Sequence, residues 1–346
     1  MLTTNIRHIL VIRLGSLSSV AMCVHALRGL VRDFPEVKIT VLTLSHYEPL
    51  FRGVRGLEFL FADDVQYGGH WGRFRLWRAV QRLGVDAVAD LTNTPFSRAL
   101  SFSFTPWRRK VARLQGQRLE GKALTRKYRK VMVQLPTLAS RSREVFGSLG
   151  LPFCMPAPVK HTKGAQLPNI VEILAGEKSA NWVGIAPLSN RHGTCYPLPK
   201  AAELVGLLAG RYQRVFIFGE GLYQRQFCEG MQSLYGNVVS VAGRLSLAEQ
   251  MDVLSVLDAV VSVDGEVLRL ASLVGTPVIS IWGATHPYLE SSGYGQDPRN
   301  ALQKELPCRP CSTDGRHRCL TGDYQCMNSI TPEEIFRRVK SVTGRN

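Results

Sequence analysis

Short β-branched runs that end in Gly- or Ser-rich turns and lead into amphipathic stretches recur along the 346 residues. Such a run reads as a strand buried on both faces, and strands separated by helices pair in parallel because a parallel partner needs a long crossover. In the first half the series is IRHILVIRL, VAMCVHALRGLVRDF (a helix from Val20 to Leu30), VKITVLTL, FRLWRAVQRLGV and DAVADLT, which closes in the polar turn Asn93-Thr94-Pro95. Phe74, Trp77, Val80 and Leu83 recur every third residue and predict the buried face of the second helix.

Residues 151–181 hold several Pro and Gly and one short helix, which suits a connection between domains. The alternation then restarts with WVGIAPL, RVFIFGEG, VVSVAG, AVVSVDG and PVISIWG, with helices around 199–210, 222–234, 246–256 and 267–273. The pattern predicts an α/β protein of two Rossmann-like, doubly wound domains facing across a cleft, residues 1–160 and 161–330. A last helix over 331–346, with Thr331 as N-cap and Pro332 at the first helical position, is expected to cross back to the first domain.

Ligands of open α/β sheets sit at the C-terminal strand ends. Here those ends are Gly15-Ser16, Pro187-Leu188-Ser189, Gly219-Glu220-Gly221, Gly243 and Asp264-Gly265. In LGSLSSVAMC the turn after the first strand brings small residues and a helix N-terminus, where free N–H groups can meet an anion. No side chain of the turn itself, Leu14 to Ser19, ionises.

The net charge of +16 is lopsided: residues 1–160 carry +15 and residues 161–346 carry +1. An anionic partner for the first half follows, as does the plainer alternative of a solvated basic surface. The stretch 107–143 is densest in Arg and Lys; it reads as a strand (Lys110 to Leu114) and then a mobile basic loop, either a linker or a surface for an anionic acceptor. There is no recognised nucleic-acid module, so no nucleic-acid partner is expected. No apolar run reaches the roughly 18 residues of a spanning helix, and no secretory signal is visible, which leads to a cytoplasmic expectation.

The segments ILVIRLGSLSSV, ALRGLVRDFPEVKITVLT, VGIAPLSNRHGTCYPLPKAAELV, VFIFGEG, VVSVAGRLSLAEQMDVLSVLDAVVSVDG, LASLVGTPVISIWGATHP and PCRPC…C…YQCMNSITPEEI resemble, in order and spacing, glycosyltransferase family 9, the ADP-heptose:lipopolysaccharide heptosyltransferases. The resemblance implies a GT-B fold and inverting transfer of heptose or a related sugar, by direct displacement without metal or covalent intermediate. It also implies an ADP-heptose-like donor, an anionic lipid-linked acceptor of lipopolysaccharide-core type, and peripheral contact with the inner face of a Gram-negative inner membrane.

Three positions depart from the family's pattern. Ser18-Ser19 stand where the family has Gly-Asp, the Asp being its base; a serine hydroxyl is too weak a base unaided, and Ser19 either donates to an oxygen of the substrate or, more simply, is the N-cap of the following helix. Thr194 stands where a Lys is common near the donor pyrophosphate, with Arg191 or His192 able to supply charge from the same loop. Asp264-Gly265-Glu266-Val267-Leu268-Arg269 replaces an Asp-Ser-Gly-x-x-His segment, so Arg269 either faces the cleft or points outward. Glu266 and Asp90 are candidate substitute bases, Asp90 with a turn-capping alternative, while Glu220 is placed at the donor's base or ribose. With Asp, Lys and His all replaced, the rival reading is a catalytically impaired member that binds nucleotide sugar or acceptor as a scaffold.

Cys308, Cys311, Cys319 and Cys326 are spaced x2, x7 and x6. They suggest a structural zinc site or a reduced, loop-bracing set, with no catalytic part in either case.

Overall fold

The computed structural model describes residues 6–102, 110–158, 167, 169–290 and 293–344. The chain forms two compact units, Met1–Gln117 with Pro136–Ala157, and Arg118–Leu135 with Pro158–Asn346. The boundary expected at 160/161 lies outside the described residues.

The first unit runs β1 (His8–Ile12), α1 (Leu17–Asp33), β2 (Lys38–Thr43), β3 (Leu57–Phe61), α2 (Asp64–Tyr67), α3 (Gly69–Arg82), β4 (Ala87–Asp90), α4 (Pro95–Phe102) and β5 (Lys110–Arg113). The chain leaves it for α5 (Arg118–Thr125) and returns with α6 (Leu138–Ser148), which packs on α1. The sheet is wholly parallel in the order β3-β2-β1-β4-β5. Its strand β3, the run LEFLF, was not among the expected strands; Glu58 breaks the apolar run, as befits an edge strand with one open side.

Under α3 the core consists of Leu10, Ile12, Leu42, Leu76, Val80, Val85, Val88 and Leu100. The face of α3 that packs there is Gly72, Leu76 and Val80, spaced by four, with Trp77 and Leu83 at its margin. Phe74 was expected inside and is instead 47% exposed.

The second unit contains α7 (Asn169–Ala175), β6 (Trp182–Ala186), α8 (Leu198–Ala209), β7 (Arg214–Ile217), α9 (Gly221–Leu234), β8 (Val238–Ser240), α10 (Leu247–Val256), β9 (Ala259–Val263), α11 (Glu266–Val274), β10 (Val278–Ile281), α12 (Pro287–Glu290), β11 (Ala301–Leu302), α13 (Gln325–Asn328) and α14 (Pro332–Thr343). This sheet too is parallel, in the order β11-β10-β9-β6-β7-β8. Thr331 caps α14 by accepting from the Glu334 N–H, with Pro332 in the first turn. That helix packs into its own unit: Ile335 and Val339 are fully buried with Leu204, Leu208 and Val261, inside the core of the second unit.

The basic stretch also differs from expectation. Residues 118–135 are a strap on the second unit, where Lys130 Nζ donates to the Cys308 carbonyl at 3.0 Å and the Pro310 carbonyl at 2.6 Å. The Leu135 N–H bonds the Tyr288 carbonyl at 2.8 Å. These anchors lie more than a hundred residues away in sequence, which is why local charge density read as a free loop.

Candidate functional site

In each sheet the connection reverses direction once, between β1 and β4 and between β6 and β9, and the loops at such a switch point splay apart to leave a crevice. In the first unit the β1 and β4 loops are tied together: Arg13, buried, donates to the Leu91 carbonyl, and the Leu14 N–H bonds Thr92 Oγ1 at 2.7 Å. The helix after β1 begins three residues earlier than expected. Ser16 rather than Ser19 is its N-cap, and the Ser19 hydroxyl donates back to the Ser16 carbonyl at 2.7 Å. An added Cβ at Gly15 would come within 2.6 Å of Ser19 Oγ, so that hydroxyl would have to turn away. Ser18 is half-buried and Ser16 exposed at the mouth of the turn.

Asp90 is wholly buried at the end of β4, and its carboxylate is engaged on both oxygens. Oδ1 accepts from the Thr92 N–H at 3.0 Å and the Asn93 N–H at 2.8 Å, and Oδ2 accepts from Ser97 Oγ at 2.9 Å. The turn it braces places Asn93 at φ 53°, a left-handed conformation that Asn tolerates. Asp90 therefore holds a turn and does not stand ready as a base. Asp90→Asn, which offers an amide where a lone pair is needed, is expected to cost about 2 kcal/mol of stability. Thermal unfolding should show that loss, and turnover by the folded fraction should stay within a few-fold of wild type.

The second unit's crevice gathers most of the remaining candidates. After β6 the buried Pro187 accepts the Tyr196 N–H through its carbonyl, and Ser189 Oγ accepts from the Arg191 N–H at 3.1 Å. Thr194, fully buried, donates to Ser189 Oγ at 3.0 Å; it braces the turn rather than reaching a ligand, while His192 is exposed. Arg191 spans the switch point, donating to the Asp264 carbonyl after β9 and to the Asp314 carbonyl at 2.9 Å.

Arg269 points inward. It is buried on α11 and pairs with Asp264 Oδ1 at 3.2 Å, so its charge neutralises that carboxylate. Gly265 is the N-cap of α11 with no side chain on the first-turn N–H groups; its φ of −160° is ordinary extended backbone, so openness rather than glycine's freedom is what it contributes. Gly219 permits the close approach of Gln224, whose Cβ would lie 3.0 Å from an added Cβ.

Glu266 begins α11 half-buried, and its pKa is pushed up to about 7. Burial is the chief cause, followed by the charge of Glu220 and a hydrogen bond with it, against which Arg191 pulls the other way. Two carboxyl groups from different strand ends thus share one site beside a guanidinium. Gln224 was not anticipated: it accepts the Glu220 N–H at 2.9 Å and donates to Asn190 Oδ1 at 2.9 Å, joining the β7 and β6 loops. Its position one turn beyond Glu220 was the only sequence signal for it. Asp314 takes part through its backbone, which no side-chain reading could reveal.

Cys308, Cys311, Cys319 and Cys326 all border one cavity of about 370 Å³, with Cys326 buried and Cys308 exposed. All four are free thiols, and Cys319 Sγ lies 3.2 Å from Thr321 Oγ1. Among the described residues no group of three or more His, Cys, Asp or Glu converges to hold a metal ion, so the arrangement does not support the zinc alternative.

Residues 73–318 match the family described as glycosyltransferase family 9 (heptosyltransferase). Among solved structures, the glycosyl transferase family 9 protein of Veillonella parvula superposes with a TM-score of 0.72 at 14% identity, covering 98% of each chain. E. coli ADP-heptose LPS heptosyltransferase II gives 0.69 at 15% identity, over 98% of this chain and 99% of that one. E. coli heptosyltransferase WaaC with ADP-2-deoxy-2-fluoro heptose gives 0.64 at 16%, over 96% and 99%. Among curated proteins no relative matches. These likenesses carry the fold, two Rossmann-like domains of the GT-B class.

Proposed function

The chain belongs to glycosyltransferase family 9 (heptosyltransferase), and from that premise we propose that it moves a heptose-like sugar from an ADP-linked donor to an anionic, lipid-linked acceptor of lipopolysaccharide-core type at the inner face of the inner membrane. The observation that carries the reading is the crevice between the β6 and β9 loops, where Arg191 lies beside the uncapped N-terminus of α11. Free N–H groups and a guanidinium are what a donor diphosphate requires. WaaC, with the same fold, is solved with an ADP-heptose analogue. The chain's net charge of +16 favours an anionic partner.

In a direct displacement the acceptor oxygen bonds the anomeric carbon as the bond to the diphosphate breaks, which inverts that centre. Charge grows on the departing phosphate, and Arg191 with the α11 N–H groups stabilises it there. The acceptor's proton passes to water on the opposite face of the sugar. Glu266, as the first residue of α11, therefore lies on the side of the diphosphate and not of the nucleophile, which removes it as the base. Raised to about 7, its carboxyl meets the donor as the neutral acid only below that pH.

Calorimetry with ADP and a turnover assay with a panel of nucleotide sugars test the proposal together. Binding of ADP with transfer from ADP-heptose is expected. ADP binding without turnover of any sugar would favour a scaffold, and no heat at millimolar ADP would remove the donor site. Arg191→Ala should weaken ADP about tenfold, the value of one charge-assisted hydrogen bond; unchanged affinity would place the diphosphate elsewhere.

A further inference from the structure

Helix α3 has a second face that the fold does not use. Opposite Gly72, Leu76 and Val80 lie Trp71, 81% exposed, and Phe74. Their rings meet edge to face with centroids 6.5 Å apart, and Phe74 stacks on Trp77 at 5.7 Å. Arg75, Arg78 and Arg82 are exposed around them, and Val65 on α2 stands fully out. From Val65 to Val85 the chain contains no Asp or Glu. A tryptophan held in water beside a phenylalanine and ringed by arginines is unfavourable for a surface that meets only solvent.

We propose that this face of α3 is where the protein seats on an anionic bilayer, Trp71 and Phe74 entering the headgroup boundary while Arg75, Arg78 and Arg82 meet lipid phosphates. Tryptophan suits that depth because its ring is apolar and its N–H is polar, and arginines beside it add attraction to a negative leaflet. A second copy of the chain is the poorer occupant, since pairing this face with itself would oppose arginine to arginine. The face is also held rigid. Gly72 lets α3 lie against Tyr67 of α2, where an added Cβ would come within 2.3 Å of the Tyr67 backbone, and Arg75 donates to the Gln66 carbonyl at 2.9 Å. The aromatic pair is thus presented without ordering a loop on contact. Among the described residues no helix is long and apolar enough to cross a membrane. The inference deepens the proposed function by assigning the surface that brings a lipid-linked acceptor within reach, and it rests on that reading only for the reason a bilayer is met.

Co-sedimentation with vesicles, in the absence of donor and acceptor, tests it separately from catalysis. The whole chain should partition onto phosphatidylcholine vesicles containing roughly one-third phosphatidylglycerol and much less onto phosphatidylcholine alone. Binding should fall as salt rises from about 0.1 to about 0.5 M. Arg75→Gln/Arg78→Gln/Arg82→Gln should cut partition on the order of 100-fold, about five-fold for each arginine. Trp71→Ala/Phe74→Ala should cut it about tenfold. Both variants should keep wild-type circular dichroism and ADP affinity, which separates loss of the surface from loss of the fold. Equal partition of either variant and wild type overturns the proposal, as does equal binding to neutral and anionic vesicles. So does a dimer that Trp71→Ala/Phe74→Ala dissociates with vesicle binding unchanged, or binding of a random RNA without binding of vesicles. If vesicles bind as stated and no sugar is transferred, the surface stands and the proposed reaction falls.

Discussion

Replacing Glu266 with Gln is expected to tighten ADP binding about tenfold at pH 8 and about a hundredfold at pH 9, with little change at pH 6. A diphosphate entering the crevice meets a carboxyl held up to about 7 by burial and by Glu220. Above that pH, wild type must take up a proton to bind, and each pH unit costs a factor of ten; the amide is neutral throughout. The same shift has a stability sign. The folded chain keeps a proton that the unfolded chain, with its carboxyl at the ordinary 4.5, has already lost, so stability falls as pH rises from about 4.5 to about 7. Glu266→Gln should therefore raise the unfolding midpoint at pH 8 relative to wild type and raise it less at pH 4. Calorimetric titrations across this range read the first effect and thermal melts the second. Parallel affinity curves for the two proteins would show that the carboxyl does not meet the diphosphate.

Arg309→Ala should be strongly damaging to the second unit, at about 3 kcal/mol or more. The side chain is buried, and its guanidinium donates to the carbonyls of Gly283, Lys304 and Thr285 and to Gln303 Oε1. Alanine leaves the buried Gly283 and Thr285 carbonyls without this donor. A unit of this size should lose roughly 6–12 °C in its midpoint, and Lys should not rescue it because an ammonium lacks the planar fork. The damage reaches the crevice. Just past β10 the Ala284 N–H holds the Gly193 carbonyl at 2.8 Å, and the Gly193 N–H holds Gly315 at 2.8 Å, in the turn that follows Arg191. ADP affinity should fall with the midpoint. A variant that melts within about 2 °C of wild type would deny the network its weight.

Where function depended on backbone periodicity, the sequence was readable. The runs WVGIAPL, RVFIFGEG, VVSVAG, AVVSVDG and PVISIWG became β6 to β10, because a strand buried on both faces must be apolar throughout and the turn after it must be small. The cap at Thr331 was legible for a local reason, a side chain bonding three residues ahead. The phase of α3 was not. With apolar residues at 71, 74, 76, 77, 80 and 83, both a three-residue and a four-residue spacing could be drawn, and only the sheet beneath selects Leu76 and Val80. Site residues divided the same way. The strand ends placed Ser189, Glu220, Asp264 and Glu266 in one crevice, since topology alone brings them together. What each side chain does there was hidden. Arg269 turns inward to Asp264, Thr194 turns to Ser189, and Asp90 is satisfied by three donors, and each outcome depends on partners named by the fold.

The strap over residues 118–135 sets an order of events during synthesis. Lys130 precedes its acceptor at Pro310 by 180 residues. At about 5–20 residues per second a ribosome needs roughly 10–35 s to cover that distance. For that interval the segment Lys127-Tyr128-Arg129-Lys130-Val131-Met132-Val133 has left the exit tunnel and has nothing to lie on. A nascent chain in this state is a short cationic, apolar peptide tethered at both ends, the kind of sequence that trigger-type chaperones hold and that proteases cut. Cleavage near Arg126 to Lys130 early in translation, and resistance there once residue 310 has emerged, would mark the moment at which the strap joins the rest of its own unit.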